Sequence, residues 1–168
     1  MKRNISLDDN NQPTDQKLLN DVTEYLIENT KFDLPDNFLK KWMQTAGENR
    51  LDEKEAALEY EKSEKGLRYQ LIESKIVKQN DIKIDHNQIK DFSKDLIKTQ
   101  MKQYGQNNPE EKELESISQR ILSNKEEVKR ISDQLLSKKL IDLFKSNLKF
   151  KNNKVSYEKF IEMAYAKK

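Results

Sequence analysis

From Asp52 to Asn80 the chain reads as one long charged helix carrying two apolar stripes, and no other feature constrains its fold as much. With 100° between successive residues, Ala56, Tyr60, Leu67 and Leu71 share one face, while Leu58, Tyr69, Ile72 and Ile76 fall on the other. A single core-facing stripe needs one neighbour. A second stripe must be covered by another element or left available to something else. The residues leave both outcomes open: packing on two sides, or a contact surface for a partner.

The rest of the sequence also reads as helix. Leu18, Leu19, Val22, Tyr25 and Leu26 lie at helical spacing, as do Phe38, Leu39, Trp42, Met43 and Ala46. Between them Asp33-Leu34-Pro35 stops one helix and starts the next, because the residue before proline is pushed out of the helical region. Gly47 is expected to end the second helix. Asp85 with Gln88 three positions on predicts a capping box, followed by a broad apolar face of Ile89, Phe92, Leu96, Ile97, Met101 and Tyr104 and a stop at Gly105. Asn108-Pro109 is expected to cap the next helix, which carries Leu114, Ile117, Ile121 and Leu122. Ser123 or Asn124 should cap a last long helix through Val128, Ile131, Leu135, Leu136 and Leu140. From Leu140 onward Ile141, Leu143, Phe144 and Leu148 point all round, so that end should be buried. Ser156 is a fitting cap for a short final helix with Tyr157, Phe160, Ile161 and Ala164. Only Ile82-Lys83-Ile84 alternates, as an extended connector. The predicted class is all-α, an elongated domain of long helices, with residues 1–14 as a polar flexible leader and 15–168 as the domain.

Composition narrows the function. Apolar residues make up 34% and charged residues 37% of the 168, which suits long solvated helices. Lys and Arg number 32 against 30 acidic residues, a net of +2, too little field to drive nucleic-acid binding. The lysine-rich C-terminal third, with Lys138, Lys139, Lys145, Lys149, Lys151 and Lys154 near Phe144 and Phe150, is read as a solvated face whose stems lie on apolar neighbours. There are no cysteines, hence no disulfides and no thiolate metal sites. No apolar run reaches the roughly 18 residues of a membrane span, and the first residues lack a signal-peptide core, so a cytoplasmic protein without membrane contact is expected.

Catalytic chemistry finds no foothold. His86 is the one histidine, so neither a zinc-binding histidine pair nor a histidine-based triad can be assembled, and it is read as an exposed first-turn residue. Asp8-Asp9-Asn10-Asn11 lacks the glycine and closing glutamate of a calcium loop. Gly47, Gly66 and Gly105 are too scattered to cradle phosphate. Runs such as Asp52-Glu53-Lys54-Glu55 are solvated ion pairs. No catalytic residue, metal or cofactor is expected.

Four blocks of sequence add a resemblance. They are Tyr25 to Trp42; Gly66-Leu67-Arg68-Tyr69-Gln70-Leu71-Ile72-Glu73-Ser74-Lys75-Ile76-Val77; Phe92 to Gly105, ending Met101-Lys102-Gln103-Tyr104-Gly105; and Leu122 to Val128 with Lys154 to Phe160. In this order, from about Leu18 to Ala164, they resemble the C-terminal chaperone domain of the trigger factor family, nearest its Bacteroidetes branch, and through it the helical core of SurA. The resemblance implies a helical body with projecting arms around a crevice that shelters unfolded or nascent polypeptides without ATP, and it allows a homodimer. Ribosome docking and prolyl isomerisation belong to other domains of the family, and nothing here matches their motifs. On this reading the candidate client contacts are Ile27, Trp42 and Met43 near the opening hairpin, Tyr69, Ile72 and Ile76 on the second stripe, and Met101 and Tyr104, since aromatic and Met side chains adapt to varied partners. Core packing is the competing role for each. The competing function is a helical adaptor whose second stripe binds one fixed partner.

Overall fold

The computed structural model describes residues 12–46, 50–149 and 155–165, and among these the chain is all-helical, with seven helices and no strand. They are α1 (Gln12–Asn29), α2 (Asp36–Ala46), α3 (Glu53–Gln79), α4 (His86–Gln103), α5 (Glu111–Leu122), α6 (Lys125–Asn147) and α7 (Tyr157–Tyr165). Residues 1–11 of the 1–14 leader, the Gly47 stop, Phe150, Lys151 and Lys154 lie outside the described residues, whereas residues 12–14, expected in the leader, are the first residues of α1.

Local chemistry sets most helix ends. Asp52 opens α3 with a full capping box: its carboxylate accepts from the Glu55 amide at 2.8 Å, and Glu55 accepts from the Asp52 amide at 2.9 Å. The same reciprocal pair, Asp85 with Gln88, opens α4 as the spacing predicts, and leaves His86 exposed in the first turn. Gly105 closes α4 with φ +87°, its amide donating to the Lys102 carbonyl and that of Gln106 to the Met101 carbonyl, a Schellman ending that suits glycine. Asn124 caps α6 through the Glu126 amide, and the Ser156 hydroxyl accepts from the Lys159 amide in α7. Another boundary also differs from expectation. Helix α5 starts two residues later than Asn108-Pro109 implies, with Glu110 at the cap and no side-chain bond there; acidic Glu111 and Glu113 complement its positive end instead.

Two compact units divide the chain: Gln16–Asp81, and Ile82–Lys168 with the residues up to Asp15. In the second of these α4 packs on α5 and α6, and α5 on α6. Ile89, Ile131 and Leu135 form its core, with Ile84, Phe92, Leu96, Ile121, Leu122 and Val128 packed against them. The end of α6 is enclosed at Leu140, Ile141 and Phe144, but Leu148 lies outside. Where α4 meets α5, two buried serines, Ser93 and Ser118, share a hydrogen bond that hydropathy does not reveal.

In the unit Gln16–Asp81, α2 folds back antiparallel on α3. Asp36 at the start of α2 meets Tyr60, and Gln44 near its end accepts from the Leu51 amide. The two stripes of α3 do not behave as two continuous faces. The first is buried only at its start, where Ala56 and Tyr60 are 0% and 2% exposed beneath α2; Leu71, beyond the reach of α2, is exposed. The second is buried only later, at Ile72, with Leu58 exposed. The first stripe is covered where α2 runs alongside it.

Candidate functional site

Helix α2 has no buried residue, and its apolar row splits in two. Leu39 and Met43 turn half-buried toward α3, whereas Phe38 and Trp42, one turn apart, are 64% and 54% exposed. The expectation for Trp42 and Met43 therefore resolves into an outward aromatic and an inward thioether. Phe38, which helical spacing groups with Leu39, Trp42 and Met43 but which was not among the candidate contacts, is the residue that sits beside Trp42. Its signal was present in the two parallel i,i+4 rows, which are wider than one neighbouring helix can cover.

Two polar ties fix the base of this hairpin. The Tyr60 hydroxyl donates to the Asp36 carboxylate at 2.6 Å, and the Lys40 ammonium lies 5.2 Å from the Tyr60 ring centre. Burial, ahead of the Asp36 bond, pushes the Tyr60 phenol up to about 12. Nearby Arg68 donates to the Phe32 carbonyl at 2.7 Å and to Glu64 at 2.9 Å, with its guanidinium 5.3 Å from the Phe32 ring centre. Ile27 borders an open cleft of about 470 Å³ here, with Phe32, Lys31, Lys65 and Arg68 on its walls. The cleft mixes charges of both signs with one apolar corner.

Farther along α3, Tyr69 and Ile76 are half-buried. Burial raises the Tyr69 phenol, whose hydroxyl meets Thr23 of α1 and Glu73 one turn on. Ile72 is 7% exposed, so it packs inward and offers an outside molecule only a thin edge. On α4, Met101 is half-buried and Tyr104, at the C-cap, is 80% exposed. The α4–α5 face carries ions instead: Lys94 holds Glu111 and Glu115, each at 2.7 Å, and Lys90 holds Glu115 at 2.6 Å. Lys90 and then Lys94 bring the Glu115 carboxyl down to about 2, and Glu111 and Glu115 raise Lys94.

No group of His, Asp and Glu among the described residues could hold a metal ion, and no helix among them is long and apolar enough to cross a membrane. What the arrangement offers is apolar and aromatic surface: Tyr25, Phe38, Trp42, Leu58 and Leu71 on one unit, Tyr104, Leu148, Tyr157 and Met163 on the other.

Neither a curated protein nor a solved structure matches the chain. A family model does, described as probable trigger factor, C-terminal domain, and it spans residues 14–164. The match covers nearly the whole sequence of this all-helical chain, and the chain belongs to the trigger factor C-terminal domain family.

Proposed function

We propose that this chain is an ATP-independent chaperone module that holds unfolded or nascent polypeptides by several weak apolar contacts, in the cytoplasm. The observation that carries the reading is membership of the trigger factor C-terminal domain family over residues 14–164. The exposed aromatics support it. Trp42, with Phe38 beside it, and Tyr104 are the outward contacts of choice; Met43, Tyr69, Ile76, Met101 and Ile27 offer half-covered edges, and Ile72 acts by holding α3 in place. Burying one Leu-sized side chain is worth about 1.5–3 kcal/mol. A micromolar complex needs about 8 kcal/mol net, so roughly four to six shallow contacts suffice after ordering costs. Contacts this weak let go without nucleotide hydrolysis.

Light scattering of two unrelated chemically unfolded proteins, diluted with and without the chain and without nucleotide, tests the reading. Dose-dependent suppression of both is the expected result. Suppression of neither, together with tight saturable binding of one folded protein, would replace it with the helical adaptor.

A further inference from the structure

Helix α2 is held to α3 in an unusual way for a packed helix. None of its 11 residues is buried, its large aromatics Phe38 and Trp42 face outward, and of its apolar residues Leu39 and Met43 lean on α3, with Lys40 over the Tyr60 ring. Its base is secured by side-chain hydrogen bonds: Tyr60 to Asp36 at 2.6 Å, and Arg68 to the Phe32 carbonyl in the preceding linker at 2.7 Å. Arg68 is itself braced by Glu64 and by the Phe32 ring, so it reaches that carbonyl from a fixed position. Beneath α2 lie Ala56 and Tyr60, among the most enclosed side chains of α3. An 11-residue helix is below the length that holds its shape alone in water. Segments with few buried contacts open before the rest of a fold does.

We propose that α2, with the 30–35 linker, is a releasable flap on α3, latched by the Tyr60–Asp36 and Arg68–Phe32 contacts, and that its opening bares the apolar strip at Ala56 and Tyr60. The flap is a property of the folded chain by itself and stands or falls apart from client binding. Each latch is one hydrogen bond to a charged or fixed partner, and removing one shifts the opening equilibrium by about tenfold.

Hydrogen exchange of the full chain, read by mass spectrometry, tests this with Tyr60→Phe, which keeps the ring, and Arg68→Gln. In the unsubstituted chain residues 36–46 should exchange faster than residues 67–79 of α3, and either substitution should speed 36–46 about tenfold while leaving 67–79 unchanged. A common rate for both segments, equal acceleration of both, or no acceleration of either overturns the flap. Because the chain has no cysteine, Ala56→Cys supplies a single thiol under α2. Its labelling by a soluble thiol reagent should also rise about tenfold when Tyr60→Phe is added. Faster α2 amides with unchanged labelling would mean that α2 unwinds in place, and the flap would be wrong.

Discussion

Ser93 and Ser118 are among the most enclosed polar side chains of the described residues and hydrogen-bond to each other between α4 and α5. A hydroxyl has one proton to give, and Ser93 gives its own to the Lys90 carbonyl at 2.7 Å, so Ser118 must donate to Ser93. Ser93→Ala strands the Ser118 hydroxyl and should cost about 1–3 kcal/mol, whereas the double change to alanine should cost less than the two single changes added together. Urea unfolding of the four proteins checks it. Trp42 and Ile72 separate in a similar way. Trp42→Ser should leave stability within about 0.5 kcal/mol yet weaken the suppression of aggregation, while Ile72→Ser should cost about 2–5 kcal/mol because a packed side chain is removed. A melting curve beside a light-scattering trace distinguishes them. Hydropathy could mark all these positions as apolar or polar, but it could not say that two serines would be core and a tryptophan would not.

At the level of elements, glycine has opposite meanings in two helices. Gly66 lies inside α3 with open space where a Cβ would go, so Gly66→Ala should stabilise by about 1 kcal/mol. Gly105 also has open space, but its φ of +87° strains any other residue, and Gly105→Ala should destabilise by about 1–2 kcal/mol. Thermal midpoints of the two variants should move in opposite directions. The α4–α5 ion cluster predicts a pH response. Glu115 is held low, so its contribution is intact above the ordinary carboxylate range and fades as pH falls toward about 2. Lys94 is held high, so its contribution is intact below the ordinary lysine value and fades only in strong alkali. Both groups are partly exposed, so the effect is modest and shrinks with salt. A carboxyl-carbon NMR titration of Glu115 reads it directly. Helix ends were the most legible elements, because Asp85, Asn124, Ser156 and Gly105 act on their own neighbours in sequence, although Asp52 and Glu55, read as part of an ion-pair run, form a capping box instead. The stripes of α3 were less so: which half is buried depends on where α2 ends, a fact that 100° spacing does not contain.

For the whole molecule, the balance of 32 basic and 30 acidic residues leaves apolar surface as the main means of attraction. Holding of unfolded proteins should then persist when ionic strength rises from about 0.05 to about 0.5 M, since screening weakens charge contacts and leaves apolar ones in place. Scattering assays at both salt levels check it, and a collapse at high salt would point to the lysines instead. The class of fold was readable from the start, because helical spacing recurs from Leu18 to Ile161 and Pro35, Gly105 and Pro109 fall between the periodic segments. The division into two units was not, since nothing in the run from Asn80 to Ile84 distinguishes a boundary from an ordinary connector.

That division has a consequence for how the protein is made. The segment Gln16–Asp81 is continuous in sequence, and the ties of its α2–α3 hairpin, Tyr60 to Asp36 and Arg68 to Phe32, all close within it. A growing chain therefore owns every residue of that unit before Ile82 has been added. Synthesis runs at about 5–20 residues per second, and a helical unit of this kind folds in microseconds to milliseconds. That unit should be finished while α4 to α7 are still being translated, so that its exposed aromatics are in place before the second unit exists.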